Sequence, residues 1–109
     1  MPEPSERSPE LVCLLRVRNG ERELPGYLES VATLADAVIA LDDGSTDATN
    51  AILKAHPLLE KLLSNPRREH GDGDVCEDRK RLLDAAAVRR PRWILSLDTH
   101  ERIAAEDAA

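Results

Sequence analysis

Short apolar runs alternate with amphipathic stretches along the chain, and this alternation predicts its secondary structure. Residues 11–17 (LVCLLRV) and 37–42 (AVIALD) are continuous apolar runs with the length of buried strands. Residues 92–98 (RWILSLD) form a similar run and are also predicted to be a strand. Residues 58–66 (LLEKLLSNP) fit either a strand or a short helix, and the pattern does not decide between them.

The stretches between these runs have the periodicity of helices. A first helix is predicted over residues 27–35, after a loop at 18–26 that contains two turn signals. Ser45 or Thr46 is expected to cap a second helix, and a third follows the polar, glycine-rich stretch 68–78. The positions expected to face inward are Tyr27, Leu28, Val31, Leu34 and Ala35 in the first helix, Ala48, Ala51, Ile52 and Ala55 in the second, and Val75, Leu82, Leu83 and Ala86 in the third.

The order of these elements predicts the fold class. Strands that alternate with helices at this spacing are typical of an α/β protein with a mainly parallel sheet, covered by helices in a three-layer α/β/α arrangement. At 109 residues the chain is long enough for one small domain. We assign that domain to residues 11–103, with a flexible N-terminal arm at 1–10 and a tail at 104–109.

Composition narrows the class of function. The net charge of −6 argues against a nucleic-acid-binding protein, which would carry a basic face. The two cysteines are far apart, and Cys13 lies in an apolar run, so we expect it to be a small core residue. No apolar stretch approaches the roughly 20 residues that cross a bilayer, and residues 1–10 lack a signal-peptide pattern. We therefore expect a cytoplasmic protein with no membrane segment in this chain.

Two of the predicted strands end in carboxylates, at Asp42-Asp43 and at Asp98. In a parallel sheet these ends share one edge, and ligands of open α/β sheets bind there. Because side chains alternate along a strand, Asp42 and Asp43 point in opposite directions. One can face the ligand crevice while the other secures the turn at Gly44 or the adjoining helix. An acidic turn with a helix cap, which needs no ligand, is the alternative.

Asp98 and His100 form a second candidate site. In an extended segment they project to the same side, where a carboxylate and a neutral imidazole can share a divalent cation of the Mn²⁺ type. A surface histidine at a strand-to-loop junction is the alternative. The other acidic stretches do not fit an EF-hand, because no late glutamate completes the series of ligands.

Together these segments resemble the N-terminal, nucleotide-binding half of a family-two glycosyltransferase with the GT-A fold. Residues 38–53 (VIALDDGSTDATNAIL) are close to the family's second-strand signature, an apolar strand that runs into D-D-G-S-T-D. Residues 11–31 are similar to its first strand and helix. Residues 78–86 and 93–103 resemble the helix and fourth strand that lead to its D-x-D metal motif. The resemblance covers 11–103 and implies a truncated GT-A-like domain.

The resemblance implies roles in donor binding for six residues, and the sixth, Asp98, also belongs to the implied metal site. Asp43 would hydrogen-bond the nucleobase of a nucleotide-diphospho-sugar, with Asp42 beside it in the same site. Arg16 and Arg18 would line the base and the ribose, and Arg79 would approach the diphosphate. The implied partner is a UDP-, GDP- or dTDP-sugar.

The resemblance also implies a divalent metal, Mn²⁺ or Mg²⁺, at the diphosphate. Asp98 would contact the ribose or the metal, and His100 would ligate the metal. Two positions depart from the family pattern: His100 stands where an aspartate is usual, and Lys80 stands where relatives often have asparagine. A D-x-H form with manganese occurs in related glycosyltransferases.

The implied function is that of the donor-binding portion of a glycosyltransferase, which transfers a sugar to an acceptor hydroxyl. In relatives the acceptor site and the general base follow the metal motif, so we expect the base to lie outside this chain. A non-catalytic nucleotide- or metal-binding remnant of the same fold is the alternative. The last strand would lack covering elements, so we also expect exposed apolar surface and a homodimer.

Overall fold

Four strands and three helices alternate along the part of the chain that the structure describes. The structure, a computed structural model, describes residues 10–66 and 74–96. The elements are β1 (Leu11–Val17), α1 (Leu24–Val31), β2 (Ala37–Asp43), α2 (Thr49–Ala55), β3 (Leu59–Asn65), α3 (Val75–Ala87) and β4 (Trp93–Ser96). The segment that the sequence left undecided is therefore a strand, β3. The tail at 104–109 and all but the last residue of the arm at 1–10 lie outside the described residues, so both remain predictions.

The four strands form one parallel sheet in the order β3-β2-β1-β4. The chain steps outward from β1 to β2 and β3 and then returns to place β4 on the other side of β1. The α/β class and the parallel sheet are thereby confirmed. The reversal of strand order lies between β1 and β4, the position at which sheets of this kind open a ligand crevice beyond their carboxyl ends.

The sheet is buried on both faces, as the continuous apolar runs of β1 and β2 predict. On one face, Leu15 packs in a cluster with Tyr27 of α1 and Leu53 of α2. On the other face, Leu14 and Ile39 belong to a cluster that includes Leu82 of α3. The helices therefore cover both sides of the sheet, which confirms the three-layer arrangement.

Cys13 is a core residue, as predicted, and is fully buried in the cluster beneath α1. Burial raises the pKa of its thiol, although a hydrogen bond to the Tyr27 hydroxyl, with Sγ and Oη 3.2 Å apart, acts in the opposite direction. The thiol therefore stays neutral and behaves as a small apolar group, with the tyrosine hydroxyl as its polar partner.

Helix α1 begins three residues earlier than predicted and ends at Val31 rather than at residue 35. Pro25 lies in its first turn, where a proline is tolerated because the N–H that it lacks would have no helical partner. Pro25-Gly26 is therefore part of the helix and not of the preceding loop. Leu34, predicted to face inward, lies in the turn after α1 and is exposed.

Helix α2 differs from the prediction in its start and in its buried face. It begins at Thr49, after Ala48, and neither Ser45 nor Thr46 caps it. Its buried residues are Thr49 and Leu53, whereas the alanines that were expected to face inward, Ala48, Ala51 and Ala55, are exposed. A small alanine buries little apolar area, so tertiary contacts rather than alanine spacing decide how this short helix is rotated.

Helix α3 buries a stripe of residues spaced four apart, Asp78, Leu82 and Ala86. Leu82 and Ala86 agree with the prediction, but Val75 and Leu83 are exposed. The four-residue spacing places Asp78 on the same face as the two apolar residues, at the end nearer the helix N-terminus. No helix among the described residues is long and apolar enough to cross a membrane.

Candidate functional site

The carboxyl ends of β1, β2 and β3 bring several polar side chains to one edge of the sheet. Arg16 lies near the end of β1, Asp42 and Asp43 end β2, and Asn65 ends β3. Asp43 pairs in register with Asn65, so these two side chains project from the same face of the sheet. That face is the one covered by α3, because Asp43 is two residues from Leu41, which packs in the α3-side cluster.

Arg16 is held between two carboxylates on this face. Its Nη2 donates to Asp43 Oδ2 at 2.7 Å, and its Nε donates to Asp78 Oδ2 at 2.9 Å. The Arg16 side chain is 23% exposed, whereas that of Asp43 is 1% exposed. The guanidinium is thus fixed from two sides by buried acceptors and shows only part of its surface to solvent.

Asn65 connects the two carboxylates to each other. Its Nδ2 donates to Asp43 Oδ1 at 2.8 Å and to Asp78 Oδ1 at 3.1 Å. Its own Oδ1 accepts a hydrogen bond of 2.5 Å from Arg81 Nη1. We refer to the following five residues as the Arg16 cluster: Arg16, Asp43, Asn65, Asp78 and Arg81.

Asp42 points to the opposite face and stabilises the turn that follows β2. Its Oδ1 accepts from the Ser45 backbone N–H at 3.0 Å, and its Oδ2 accepts from Asn50 Nδ2 at 3.1 Å. Gly44, with φ of 73°, takes the left-handed conformation that this turn requires. The prediction that one of the two aspartates secures the turn and the adjoining helix is therefore correct for Asp42. A polar cavity of about 250 Å³ adjoins Asp42.

Polar groups of the D-D-G-S-T-D motif, together with Thr49 at the start of α2, join the β2–α2 loop to the β1–α1 loop. Ser45 Oγ accepts from the Asn19 N–H at 2.8 Å, and Asn19 Oδ1 accepts from the Thr46 N–H at 2.8 Å. Thr49 Oγ1 accepts from the Gly20 N–H at 2.9 Å. Within this motif, Asp43 alone contributes to the Arg16 cluster, while the hydrogen bonds of Ser45, Thr46 and Thr49 hold together the two loops at the edge of the sheet.

Asp47 belongs to this loop network and should make stability sensitive to acid. Partial burial acts to raise its pKa. Hydrogen bonds from Thr49 and from the Glu21 N–H act in the opposite direction and have the larger effect, so the pKa lies below its ordinary value of 3.8. A carboxyl whose pKa is lowered on folding stabilises the protein above its ordinary pKa, and this contribution is lost as the pH falls through the lowered value.

We expect Asp47→Asn to lower stability near neutral pH and to have a smaller effect in acid. The measurement is the urea midpoint of the parent and the variant between about pH 5 and pH 2, with Asp84→Asn on the exposed surface of α3 as the control. A difference between parent and Asp47→Asn that stayed constant over this range would contradict the assignment.

The other two arginines that the family resemblance singled out lie in the β1–α1 loop and on α3. Arg18 follows β1 directly and is partly buried in the β1–α1 loop. Arg79 is exposed on α3, where it lines a groove between that helix and β4. The structure thus brings Arg16 and Asp43 into direct contact and places Arg79 on a different surface of the same helix as Asp78.

The predicted metal ligands, Asp98 and His100, lie outside the described residues. Residues 10–66 and 74–96 contain no group of three or more histidine, cysteine, aspartate or glutamate side chains that could hold a metal ion. The last described residue, Ser96, pairs with Leu14, two residues before Arg16 in β1. Metal binding therefore stays a prediction that depends on residues beyond Ser96.

Sequence reasoning missed three members of the Arg16 cluster. Asp78 looks like an acidic residue placed in the first turn of a helix, where it would interact favourably with the helix dipole. Asn65 would have been found at a strand end had residues 58–66 been assigned as a strand. From the sequence, Arg81 is expected to be an exposed helix residue, and nothing in its position distinguishes it from Arg79 or Lys80.

Comparisons with known proteins complement this geometry. No protein-family model matches the chain. An uncharacterized protein of Mycobacterium tuberculosis is 29% identical over 91 residues, and one of Mycobacterium bovis matches equally well. These matches cover 81% of this chain but 22% of the mycobacterial proteins, so the chain spans less than a quarter of their length.

Among solved structures, the chain is similar to Staphylococcus aureus TarS 1-349. The TM-score is 0.70 at 23% sequence identity, and the match covers 89% of this chain and 29% of TarS 1-349. The fold is GT-A-like. The GT-A-like region therefore includes the four-stranded sheet with its three helices, and the Arg16 cluster lies at its carboxyl edge.

Proposed function

We propose that the chain is the donor-binding portion of a glycosyltransferase, and that its carboxyl sheet edge binds a nucleotide-diphospho-sugar. The observation that carries the proposal is the position of the Arg16 cluster, at the carboxyl ends of β1 and β2 and next to the reversal of strand order. The likeness of the fold to that of a glycosyltransferase supports it. The proposed function is donor binding, followed by transfer of the sugar to an acceptor hydroxyl.

Within the proposed site, Arg16 is the residue that contacts the nucleotide directly. Its guanidinium is partly exposed, whereas Asp43 is almost completely buried behind the ion pair. Asp43 and Asp78 fix the guanidinium from two sides, so that its remaining N–H groups have a defined direction. The main role that we propose for Asp43 is therefore to orient Arg16. The family resemblance implies, in addition, a hydrogen bond from Asp43 to the base.

The charge of the Arg16 cluster favours a nucleobase over a phosphate as its ligand. Two carboxylates, Asp43 and Asp78, balance two guanidiniums, Arg16 and Arg81. A neutral cluster provides little attraction for a diphosphate, but its fixed donors and acceptors suit the hydrogen-bonding edge of a base. The diphosphate is assigned instead to the side of β4, where the chain continues to Asp98 and His100.

A divalent cation, Mn²⁺ or Mg²⁺, completes the proposed donor site, with Asp98 and His100 as the residues that would hold it. Such a cation neutralises the charge that develops on the departing nucleoside diphosphate, a stabilisation on the order of several kcal/mol. Oxygen and imidazole ligands suit manganese.

Isothermal titration calorimetry of the 109-residue chain tests donor binding. UDP, GDP and dTDP are titrated separately, each with and without Mn²⁺, and we expect saturable heat from at least one of them. Arg16→Lys provides a matched variant, because it keeps the positive charge but loses the planar fork that Asp43 and Asp78 orient. We expect it to bind at least about tenfold more weakly. Absence of heat with all three nucleotides would refute the proposal.

Replacing Asp98 tests the metal assignment separately. We expect Asp98→Ala to abolish the enhancement of nucleotide binding by Mn²⁺ while the metal-independent binding and the circular dichroism spectrum stay unchanged. Asp84→Ala, at an exposed position on α3, is the control for the loss of one negative charge. If Asp98→Ala responds to Mn²⁺ as the parent does, Asp98 is not a metal ligand.

A further inference from the structure

Within the described residues, the guanidinium of Arg16 donates hydrogen bonds from one of its two edges. Nε and Nη2 form the side edge, and each donates to a separate carboxylate, Asp78 Oδ2 and Asp43 Oδ2 respectively. A guanidinium has five N–H donors, so three remain, and they belong to Nη1 and Nη2. Two of these three point in parallel from the end of the side chain. We refer to this pair of adjacent donors as the Arg16 fork.

The residues around the guanidinium fix the direction of the Arg16 fork. Asn65 Nδ2 donates to Asp43 Oδ1 and to Asp78 Oδ1, and so joins the two carboxylates that bind Arg16. Arg81 Nη1 donates to Asn65 Oδ1, which directs the amide nitrogen of Asn65 toward the carboxylates. A pair of donors held by such a network is preorganised for one arrangement of acceptors on a ligand.

The charges next to the Arg16 fork favour a neutral ligand over an anion. Arg16 carries one positive charge, and the two carboxylates that bind it, Asp43 and Asp78, carry two negative charges. Arg81 lies 3.7 Å from Asp78 and makes the cluster neutral as a whole. A phosphate at the fork would therefore be repelled by the two carboxylates, whereas a nucleobase has no net charge and is not repelled.

We propose that the Arg16 fork selects a donor nucleotide whose base presents two adjacent acceptors, guanine or cytosine, over uracil and thymine. Guanine has O6 and N7 side by side, and their bidentate pair with arginine is the commonest specific contact between a side chain and a DNA base. Cytosine has O2 and N3 side by side. In uracil and thymine the N3–H donor separates the two carbonyls, so the fork can satisfy one of its donors but not both.

This inference rests on the proposed function and narrows its substrate class. Of the three nucleotides that the family resemblance leaves open, UDP, GDP and dTDP, only GDP carries a base with two adjacent acceptors. The donor that the fork selects among them is therefore a GDP-sugar. A CDP-sugar shares the same chemistry at the base, and the experiment below distinguishes the two.

Calorimetry with five nucleotides tests the fit by changing the ligand. GDP, CDP, UDP, dTDP and 7-deaza-GDP are titrated into the parent chain in the presence of Mn²⁺. We expect GDP or CDP to bind at least about tenfold more tightly than UDP and dTDP, the discrimination of one bidentate pair. For guanine, 7-deaza-GDP replaces N7 by a C–H group, and we expect it to bind about fivefold more weakly than GDP because one acceptor is lost.

Arg16→Lys tests the same fit by changing the protein. Lysine keeps the positive charge but has no planar pair of donors, so we expect all the nucleotides to bind this variant within about threefold of one another. Arg89→Lys is the matched control, because Arg89 pairs with Glu60 near the start of β3, at the opposite end of the sheet from Asn65. We expect it to keep the parental preference.

Circular dichroism establishes that the variants fold, and the comparison of nucleotides on the parent chain needs no variant. UDP or dTDP that bound as tightly as both GDP and CDP would overturn the inference while the proposed function stands. An undiminished preference in folded Arg16→Lys would also overturn it, because the fork would not be the cause of the preference. Absence of heat with every nucleotide would refute the proposed function and this inference together.

Discussion

Asp43→Ala is expected to destabilise the protein by about 2–4 kcal/mol. Removing one partner of a buried ion pair typically costs about 3–5 kcal/mol, because the remaining charge is left uncompensated. The estimate is lower here, since Arg16 retains Asp78 and is 23% exposed, so that water can solvate part of the guanidinium. Asn65 also loses its 2.8 Å acceptor. Urea unfolding at neutral pH measures the loss.

A double-mutant cycle separates the ion pair from the packing of the two side chains. The set consists of Arg16→Ala, Asp43→Ala and the double variant, and we expect a coupling energy of about 1–3 kcal/mol, in the range for residues in direct contact. Asp78→Ala is the matched comparison, because Asp78 contacts the same guanidinium from α3. If the effects of Arg16→Ala and Asp43→Ala add to within about 0.5 kcal/mol, the pair seen in the structure does not contribute to stability.

The same variants distinguish the roles of the two carboxylates in nucleotide binding. Asp43→Asn preserves the shape of the side chain but removes the charge that orients Arg16, and we expect it to weaken nucleotide binding more than Asp78→Asn does. The reason is that Asp43 lies at the strand end where the base is proposed to bind, whereas Asp78 reaches Arg16 from the helix. Equal losses would indicate that both act only by orienting the guanidinium.

Leu15→Ala is expected to cost about 2–5 kcal/mol, the second of the two largest effects. Leu15 is fully buried in the central strand, in the cluster beneath α1 and α2. Truncation to alanine removes buried apolar area and leaves a cavity that the surrounding strands can close only in part. A domain of this size has a total stability on the order of 5–15 kcal/mol, so the variant could lose much of it.

Leu34→Ala is the matched control for this loss. It removes the same atoms from a position in the turn after α1 that is 36% exposed, where we expect a loss of about 1 kcal/mol or less. Thermal unfolding followed by circular dichroism should therefore separate the two variants by roughly 10 °C or more. Similar midpoints for both variants would mean that Leu15 does not occupy the core position described.

The sequence predicted the central strands because their signal is local. Residues 11–17 and 37–42 are apolar without interruption, as strands buried on both faces must be, and β1 and β2 occupy these positions with a shift of at most one residue. Segment 58–66 was ambiguous for a physical reason. At the edge of the described sheet, β3 is buried only in part and carries Glu60 and Lys61 toward solvent, which interrupts the continuous pattern of a central strand.

The helices were found with less accuracy, since their ends and buried faces depend on neighbouring elements. Pro25 was interpreted as a loop residue, although it also suits a first helical turn, and the sequence contains no signal that chooses between the two. The buried face of α2 includes Thr49, whose hydroxyl accepts the Gly20 N–H from another loop. Such a contact joins residues far apart in sequence, so helical periodicity cannot reveal it.

The sequence by itself determined that this chain is a parallel α/β protein with paired carboxylates at a strand end, because apolar runs and strand alternation are properties of neighbouring residues. Only the tertiary structure decided which groups face those carboxylates. Strand order places β1 beside β2, and α3 crosses the same face, so that Arg16, Asp43 and Asp78 meet although the outer two are 62 residues apart. The attraction within such a cluster is strong only where water is excluded, and water is excluded only once the layers have packed.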